Sequence, residues 1–376
     1  MTGFTRRTFG GLAAASGLAI ATSATAASAA EDSPRRNAVP IEPKSLDELY
    51  QEAVAEGGQL VVYAGGDSPT QNEGTRQAFA QQFPNVQIAI RTDLSKYHDA
   101  RIDNQIARGR LEPDVAQLQT LQDFDRWKRQ GHLLPYKPAG WDAVYSQFKD
   151  AGGAYTGIFA LSAGYLTNKA LVPADQVPRD ALDFLDPKYQ GKLTITWPND
   201  DDAVLFLFKN IVDKYGWSYM DRLLTQRPTF VRGLPAAIGA VSSGAAAATL
   251  AGIGALVPNP NSPTTFTLPT EDFFISWAQT AAIFAKAKHP AAAKLYLNWV
   301  LSKPQQALRQ WSVRQDVPPP AGYRPLVEYR NTSHVAFRDF MTDRAGVERF
   351  KSQIELYVGA PQGPNPAGAT GPLLTP

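Results

Sequence analysis

The sequence predicts an α/β protein built as two lobes, each a mainly parallel β-sheet flanked by helices. Two observations carry this expectation. A chain of 376 residues is long for a single hydrophobic core, so two are expected. Short apolar runs alternate with amphipathic segments three times between residues 59 and 131, and a second α/β set follows residue 155. Strand–helix–strand alternation with short connections implies parallel pairing and right-handed crossovers.

Each element has its own local reason. Residues 45–58, "SLDELYQEAVAEGG", place Leu46, Leu49 and Ala53 at helical spacing and end in a glycine pair that stops the helix. "QLVVYAG" at 59–65 reads as a buried strand. In the "DSPTQ" after it, Ser68, Pro69 and Gln71 suit a capping box with proline at the first helical position. "VQIAIRTD" at 86–93 is the second strand, and its helix carries Ile102 and Ile106 one turn apart before Gly109. "PDVAQLQT" at 113–120 is the third, with Thr120 and Asp123 opening a helix that buries Phe124 and Trp127 before Gly131.

The second set begins with "YTGIFALSAGYLTN" at 155–168, apolar and punctuated by small residues, which suits a strand running from one lobe into the next. "GKLTITWP" at 191–198 is a strand, "DAVLFLFKNIVDKYG" at 202–216 a helix, and "PTFVRG" at 228–233 another strand. "AIGAVSSGAAAATL" at 237–250 gives a small-residue helix and then a strand, and "TTFTLPTEDFFISWAQ" at 264–279 returns the chain to the first lobe. "HPAAAKLYLNWVLSKPQQALRQW" at 289–311 is an amphipathic helix pair with Leu295, Leu297, Val300 and Leu301 toward a core. The expected divisions are 45–160 for the first part of lobe one, 161–265 for lobe two, and 266–360 for the return and the C-terminal helices. A polar leader at 30–44 and a Pro/Gly-rich tail at 361–376 are expected to be mobile.

Composition narrows the function. Hydrophobic content of 44% and charged content of 19% describe an ordinary globular protein. The balance of 37 basic and 35 acidic residues argues against a nucleic-acid or membrane-surface footprint. With no cysteine there is no disulfide, thiolate nucleophile, iron–sulfur ligation or lipidated N-terminal cysteine. At the N-terminus, "TRRTFGG" at 5–11 sets paired arginines before Phe9, and a mild Ala/Gly/Leu stretch leads to "ASA" at 27–29. This pattern matches a twin-arginine-type export signal cleaved near Ala29, so residues 1–29 are expected to direct the chain to the periplasm or outside the cell. No later stretch offers the ~20 apolar residues of a membrane span.

At this point the chain resembles a known family. "LYQEAVAEGGQLVVYAGGDSPTQNEGTRQAFAQQFPNVQI" is similar to the opening of periplasmic solute-binding proteins of ABC transporters, in the iron(III)/polyamine/phosphonate-type branch. "HPAAAKLYLNWVLSKPQQ" resembles that family's late helix, and with "GKLTITWP" the resemblance spans roughly residues 45–315. It implies a type II periplasmic-binding-protein fold, two α/β lobes joined by two crossover strands and closing on a solute. It also implies no catalysis, no cofactor, a monomer, and two partners: a small polar solute and an ABC permease. Two departures stand out. The tyrosine pair that serves iron-binding members is missing from "AAAATLAGIG" at 245–254, and an Arg-containing turn at the first crossover is "ALSAG" here.

Open parallel sheets bind ligands beyond the carboxyl ends of their strands. Cleft loops are therefore expected at 65–70, 93–97, 120–122 and 197–202, with crossover contributions near 161–163 and 270–272. Within them, Gly66, Asp67, Ser68, Thr70, Tyr97, Thr120, Gln122, Ser162, Trp197, Asn199, Asp200, Asp201, Arg232 and Trp277 are the candidate ligand-binding residues. Ser68 and Thr70 would offer hydroxyls and Asn199 an amide, and the two tryptophans an aromatic face, against an equally simple role in the core. In "WPNDDDAVLFLF", one aspartate caps the helix that follows, and the surplus charge calls for Arg232 or a cationic solute group. An amine-bearing solute would use the aspartates. A phosphate-bearing one would use helix N-termini and Arg232.

Other chemistries find less support. The four histidines (His98, His132, His289, His334) show no paired metal-ligand spacing, so no metal residues are assigned. No G-x-S-x-G elbow or GK[ST] phosphate loop occurs. A ferric or divalent metal-binding protein, or a hydrolytic enzyme on the same fold, stands as the alternative.

Overall fold

The computed structural model describes residues 38–368. Helix α1 (Leu46–Ala55) starts at Ser45, whose hydroxyl accepts from the Glu48 amide while the Glu48 carboxylate accepts from the Ser45 N–H. Strand β1 (Gln59–Gly65), helix α2 (Glu73–Gln82), strand β2 (Gln87–Asp93), helix α3 (Ser95–Ala107), strand β3 (Val115–Leu118) and helix α4 (Leu121–Arg129) follow. The start of α2 departs from expectation. Gln71 Oε1 accepts from the Asp67 N–H at 2.7 Å, hydrogen-bonded turns occupy 68–73, and the helix begins only after Asn72. The capping box expected of Ser68, Pro69 and Gln71 is not formed, because the glutamine amide is spent on the loop.

The chain leaves the first lobe through strand β4 (Thr156–Ser162) and enters the second directly as β5 (Gly164–Asn168). There it forms β6 (Thr194–Thr196), α5 (Asp202–Tyr215), α6 (Ser218–Thr225), β7 (Thr229–Val231), α7 (Leu234–Ser243), β8 (Ala248–Gly252) and β9 (Thr264–Thr267). Strand β10 (Ser276–Ile283) returns it to the first lobe, followed by α8 (Pro290–Val300), α9 (Lys303–Ala307), α10 (Ala336–Thr342) and α11 (Arg344–Val358).

The first lobe is a five-stranded sheet in the order β2-β1-β3-β10-β4. Strands β1, β2 and β3 are parallel, while β10 runs antiparallel to β3 and β4. In the second lobe β6 and β7 are parallel, β5 lies antiparallel between β8 and β9, and a parallel bridge from Leu193 to Ala248 links the two groups. The sheets are thus more mixed than a mainly parallel pattern. The reason is the pair of crossovers: β10 re-enters the first sheet from the other lobe, so it opposes β4, which leaves by the same hinge.

The cores follow the apolar patterns. Val62, Phe79, Val115, Ile158, Leu295 and Trp299 are buried together in the first lobe. In α5, residues 203–208 are all buried, an apolar run with no polar face. Helices α10 and α11 explain it, since Phe337, Met341, Phe350 and Ile354 share the second lobe's core with Leu205 and Phe208.

Candidate functional site

Between the lobes lies a cavity of about 280 Å³. The loops after the carboxyl ends of β1, β2 and β3 line one side: residues 65–68, Gln71, Asn72, Ser95 and Gln119. The crossovers contribute Phe159, Leu161, Trp277 and Gln279. From the second lobe come Leu234, Pro235 and Ile238 of α7, and Ile253 after β8.

The first-lobe wall is polar and pre-arranged. Gly65 is required there, because a Cβ would stand 2.1 Å from Ser95 Oγ, which accepts the Gln119 amide N–H at 3.1 Å. Gln279 donates to the Gln117 carbonyl at 3.2 Å and accepts from Trp277 Nε1 at 3.4 Å. Asn72 donates to Thr92 Oγ1 at 3.0 Å. The Ser68 hydroxyl and the Gln119 side-chain amide make no hydrogen bond to the described residues.

Two carboxylates help hold the lobes against each other. Asp67, in the first lobe, accepts from the Leu234 N–H at the N-terminus of α7 at 3.2 Å. Gly233 permits this approach: its φ is +77°, and a Cβ would come 3.1 Å from Asp67 Cβ. Burial pushes the Asp67 carboxyl above its usual range, against the opposing pull of the Leu234 N–H. The second contact joins Lys96 at the start of α3 to Asp200. Its ammonium donates to the carboxylate at 2.7 Å and to the Asp200 carbonyl at 2.6 Å. Arg232 grips the same carboxylate from within the second lobe, at 2.7 and 3.1 Å. Burial opposes ionisation of Asp200, but the bonds from Arg232 and Lys96 outweigh it and hold the carboxyl below its usual range.

The acidic run "NDDD" therefore divides its labour. Asp200 forms the interlobe cluster. Asp201 is the N-cap of α5, accepting from Ala203 and Val204 at 2.8 and 3.0 Å. Its burial, reinforced by the charge of Asp67, pushes the carboxyl up to about 7. Asn199 turns away from the cavity and donates to the Gly359 carbonyl at 2.9 Å, tying down the segment that leaves α11.

Of the residues expected from sequence, Gly66, Asp67, Ser68 and Trp277 line the cavity. Tyr97 and Arg232 sit at its rim, 3.4 Å apart between the Tyr97 hydroxyl and an Arg232 nitrogen. Thr70 is exposed, Thr120 and Ser162 are buried in the first lobe and its crossover, and Gln122 reaches Asp123. Trp197 packs on Phe230 with ring centroids 4.9 Å apart, so it is a core residue. Gln71, Gln119, Gln279 and the α7 wall carry no expectation as site residues, and Lys96 falls within the expected cleft loop 93–97 without being singled out. Gln119 and Lys96 stand beside predicted strand ends, a signal that strand-end position alone supplies. The α7 wall has no local signal. Residues 361–368, the start of the tail expected to be mobile, make contacts at the same rim: Arg232 donates to the Gly363 carbonyl at 3.0 Å, and Asn365 donates to Asp93 at 3.0 Å.

Buried His98 donates from Nε2 to the Arg91 carbonyl and accepts at Nδ1 from Arg101, and burial and the guanidinium lower its pKa to about 4. It is a structural, neutral imidazole. Among the described residues no group of three His, Cys, Asp or Glu side chains is placed to hold a metal ion. A wider open depression of about 800 Å³ lies by the C-terminal end of α5, near Lys214, Asp272 and Arg330. The other end of that 14-residue helix meets the cleft, so the depression lies roughly 20 Å from it.

The sequence model of a family described as bacterial extracellular solute-binding protein matches residues 115–344. No curated protein sequence matches significantly. Among solved structures, iron-bound HitA from Pseudomonas aeruginosa is similar at 17% identity and a TM-score of 0.61, over 79% of this chain and 99% of that one. AfuA from Actinobacillus pleuropneumoniae, with fructose-6-phosphate bound, gives 17% and 0.62 over 80% and 99%. The substrate-binding protein of an ABC transporter from Agrobacterium tumefaciens gives 17% and 0.66 over 80% and 94%. At such identities the likeness is one of fold.

Proposed function

Because the chain belongs to the bacterial extracellular solute-binding proteins, we propose that it is the capturing component of an ABC importer, closing two lobes around a small polar solute and handing it to a membrane permease. The observation that carries this reading is the partly open cavity between lobes that touch through Lys96–Asp200 and Asp67–Leu234. Ligand that contacts both lobes only when they are closed shifts the population toward closure. The segment at residues 1–29, outside the described residues, would act as the twin-arginine-type export signal.

In this reading Ser68, Gln71, Gln119 and Gln279 are the solute's hydrogen-bonding partners and Trp277 its aromatic wall. Asp200, Asp201 and Arg232 serve closure and capping instead of solute charge selection. A ferric ion is a poor fit, since the cavity offers amides, hydroxyls and one carboxylate where a hard cation needs several anionic oxygens. Calorimetric titration of the protein with a panel of small solutes and with ferric citrate tests the proposal. A solute binding one-to-one is expected. Heat from ferric citrate alone would replace it with the metal reading.

A further inference from the structure

We infer that the solute is uncharged, compact and amphipathic, presenting a hydrogen-bonding edge to the first lobe and an apolar face to the second. The inference rests on the solute-binding reading and refines it. Its ground is the division of the cavity wall. The first lobe and the hinge contribute Ser68, Gln71, Gln119 and Gln279, whose groups both donate and accept. The second lobe contributes Leu234, Pro235, Ile238 and Ile253, with no polar side chain among them. Trp277, 2% exposed, and Leu161 extend the apolar face along the crossovers.

Charge inside this cavity would go unanswered. Asp67 is the one ionisable residue on the wall, and its carboxylate is already held by the Leu234 N–H of the opposite lobe. That carboxylate occupies the N-terminus of α7, where an anionic group of a solute would otherwise be drawn. Asp200 is matched by both Lys96 and Arg232, and Asp201 by the amides of α5. A phosphate entering with the lobes closed would lose its water and meet no positive group, and an ammonium would find only the Asp67 carboxylate, already engaged by the Leu234 N–H, which does not offset the cost of burial. At about 280 Å³ the space is at the lower edge of the ~300–1,000 Å³ typical of small-molecule sites, so the solute is of monosaccharide or small-lactam size. The asymmetry also orders the event. The solute docks on the polar first lobe, and α7 then closes over it as an apolar cover.

The test compares compounds that share one skeleton and differ in charge: glucose, glucose 6-phosphate and glucosamine; 2-pyrrolidone and pyroglutamate; cyclohexanol, cyclohexylamine and cyclohexanecarboxylate. Thermal unfolding of the full-length protein is followed with each at millimolar concentration, and calorimetry gives affinities for those that stabilise. Stabilisation by an uncharged member, with its charged counterparts at least about 100-fold weaker, supports the inference. Gln119→Leu should then weaken the uncharged probe by about 10–100-fold without lowering the unfolding temperature of the free protein. Stabilisation by a charged member overturns the charge assignment and leaves solute binding intact. An amine whose binding disappears in Asp67→Asn would do so most directly. If no member of any charge class stabilises the protein, the solute-binding reading itself fails.

Discussion

Replacing Lys96 with methionine separates closure of the lobes from the stability of each lobe. Among the described residues Lys96 is the first lobe's only cation paired with Asp200, and Arg232, which also donates to the Tyr97 hydroxyl, remains to neutralise that carboxylate after the substitution. No buried charge is orphaned, so the second lobe should fold unchanged. At 2.7 Å and an effective dielectric of about 20, the raw attraction is roughly 6 kcal/mol. Most of it is offset by desolvation and by ordering of the lysine, whose side chain is 26% exposed. A net loss of about 1–2 kcal/mol remains, which lowers the closed-to-open ratio by about 5–30-fold. Because the chain contains no cysteine, Gln81→Cys and Asp221→Cys accept spin labels on exposed positions, one in each lobe. Pulsed electron-spin distances should lengthen and broaden in Lys96→Met while urea unfolding stays within ~0.5 kcal/mol of wild type. A distance distribution identical to wild type at low and high salt would refute the assignment of Lys96–Asp200 as the latch.

Three further outcomes follow from the same geometry. The Asp67 carboxyl is pushed above its usual range by burial in the closed cleft, so protonation favours closure; the labelled distances should narrow as pH falls from 8 toward 5, and Asp67→Asn should remove the dependence. A pH-independent wild type would contradict this. For Asp201 the folded pKa of about 7 lies above the ordinary value, so its ionised form is destabilising at pH 8 and the penalty fades as pH falls through 7 toward 4. Since asparagine caps helices as well as aspartate, Asp201→Asn should raise stability to urea by about 1–3 kcal/mol at pH 8 and by less than half as much at pH 5. Equal effects at both values would remove the electrostatic explanation. Asn365→Ala deletes the bond to Asp93 across the rim and the acceptor of the Ala367 N–H; amides of residues 359–368 should exchange with deuterium at least about 5–10-fold faster, as for the loss of ~1 kcal/mol or more, and unaltered exchange would show that the Asn365 side chain does not hold the segment.

Much of the scaffold is legible because its cues are local. Strand β1 has the bounds of its apolar run, and α5 follows Asp201 as a cap followed by apolar residues should. The start of α2 is misread because Ser68, Pro69 and Gln71 satisfy a capping pattern while Gln71 is claimed by the Asp67 amide. The acidic run poses the right question, that of its positive partner. Sequence supplies only Arg232. Lys96 lies 104 residues away and meets Asp200 only through closure. The same holds for the apolar half of the cavity: Leu234 and Ile238 face the cleft because α7 packs against β6 and β8, a long-range fact with no local signature. Trp197 and Trp277 look alike in the sequence, yet one packs on Phe230 and the other walls the cavity.

The central claim is that the lobes close on a small solute. It is tested most directly by the distance between labels at positions 81 and 221 in the Lys96→Met background, where the open form is better populated, on titration with the three charge classes of probe. At least one uncharged probe should restore the short, narrow distribution of the wild type with saturable dependence on concentration. A distribution that no probe of any class alters would contradict it.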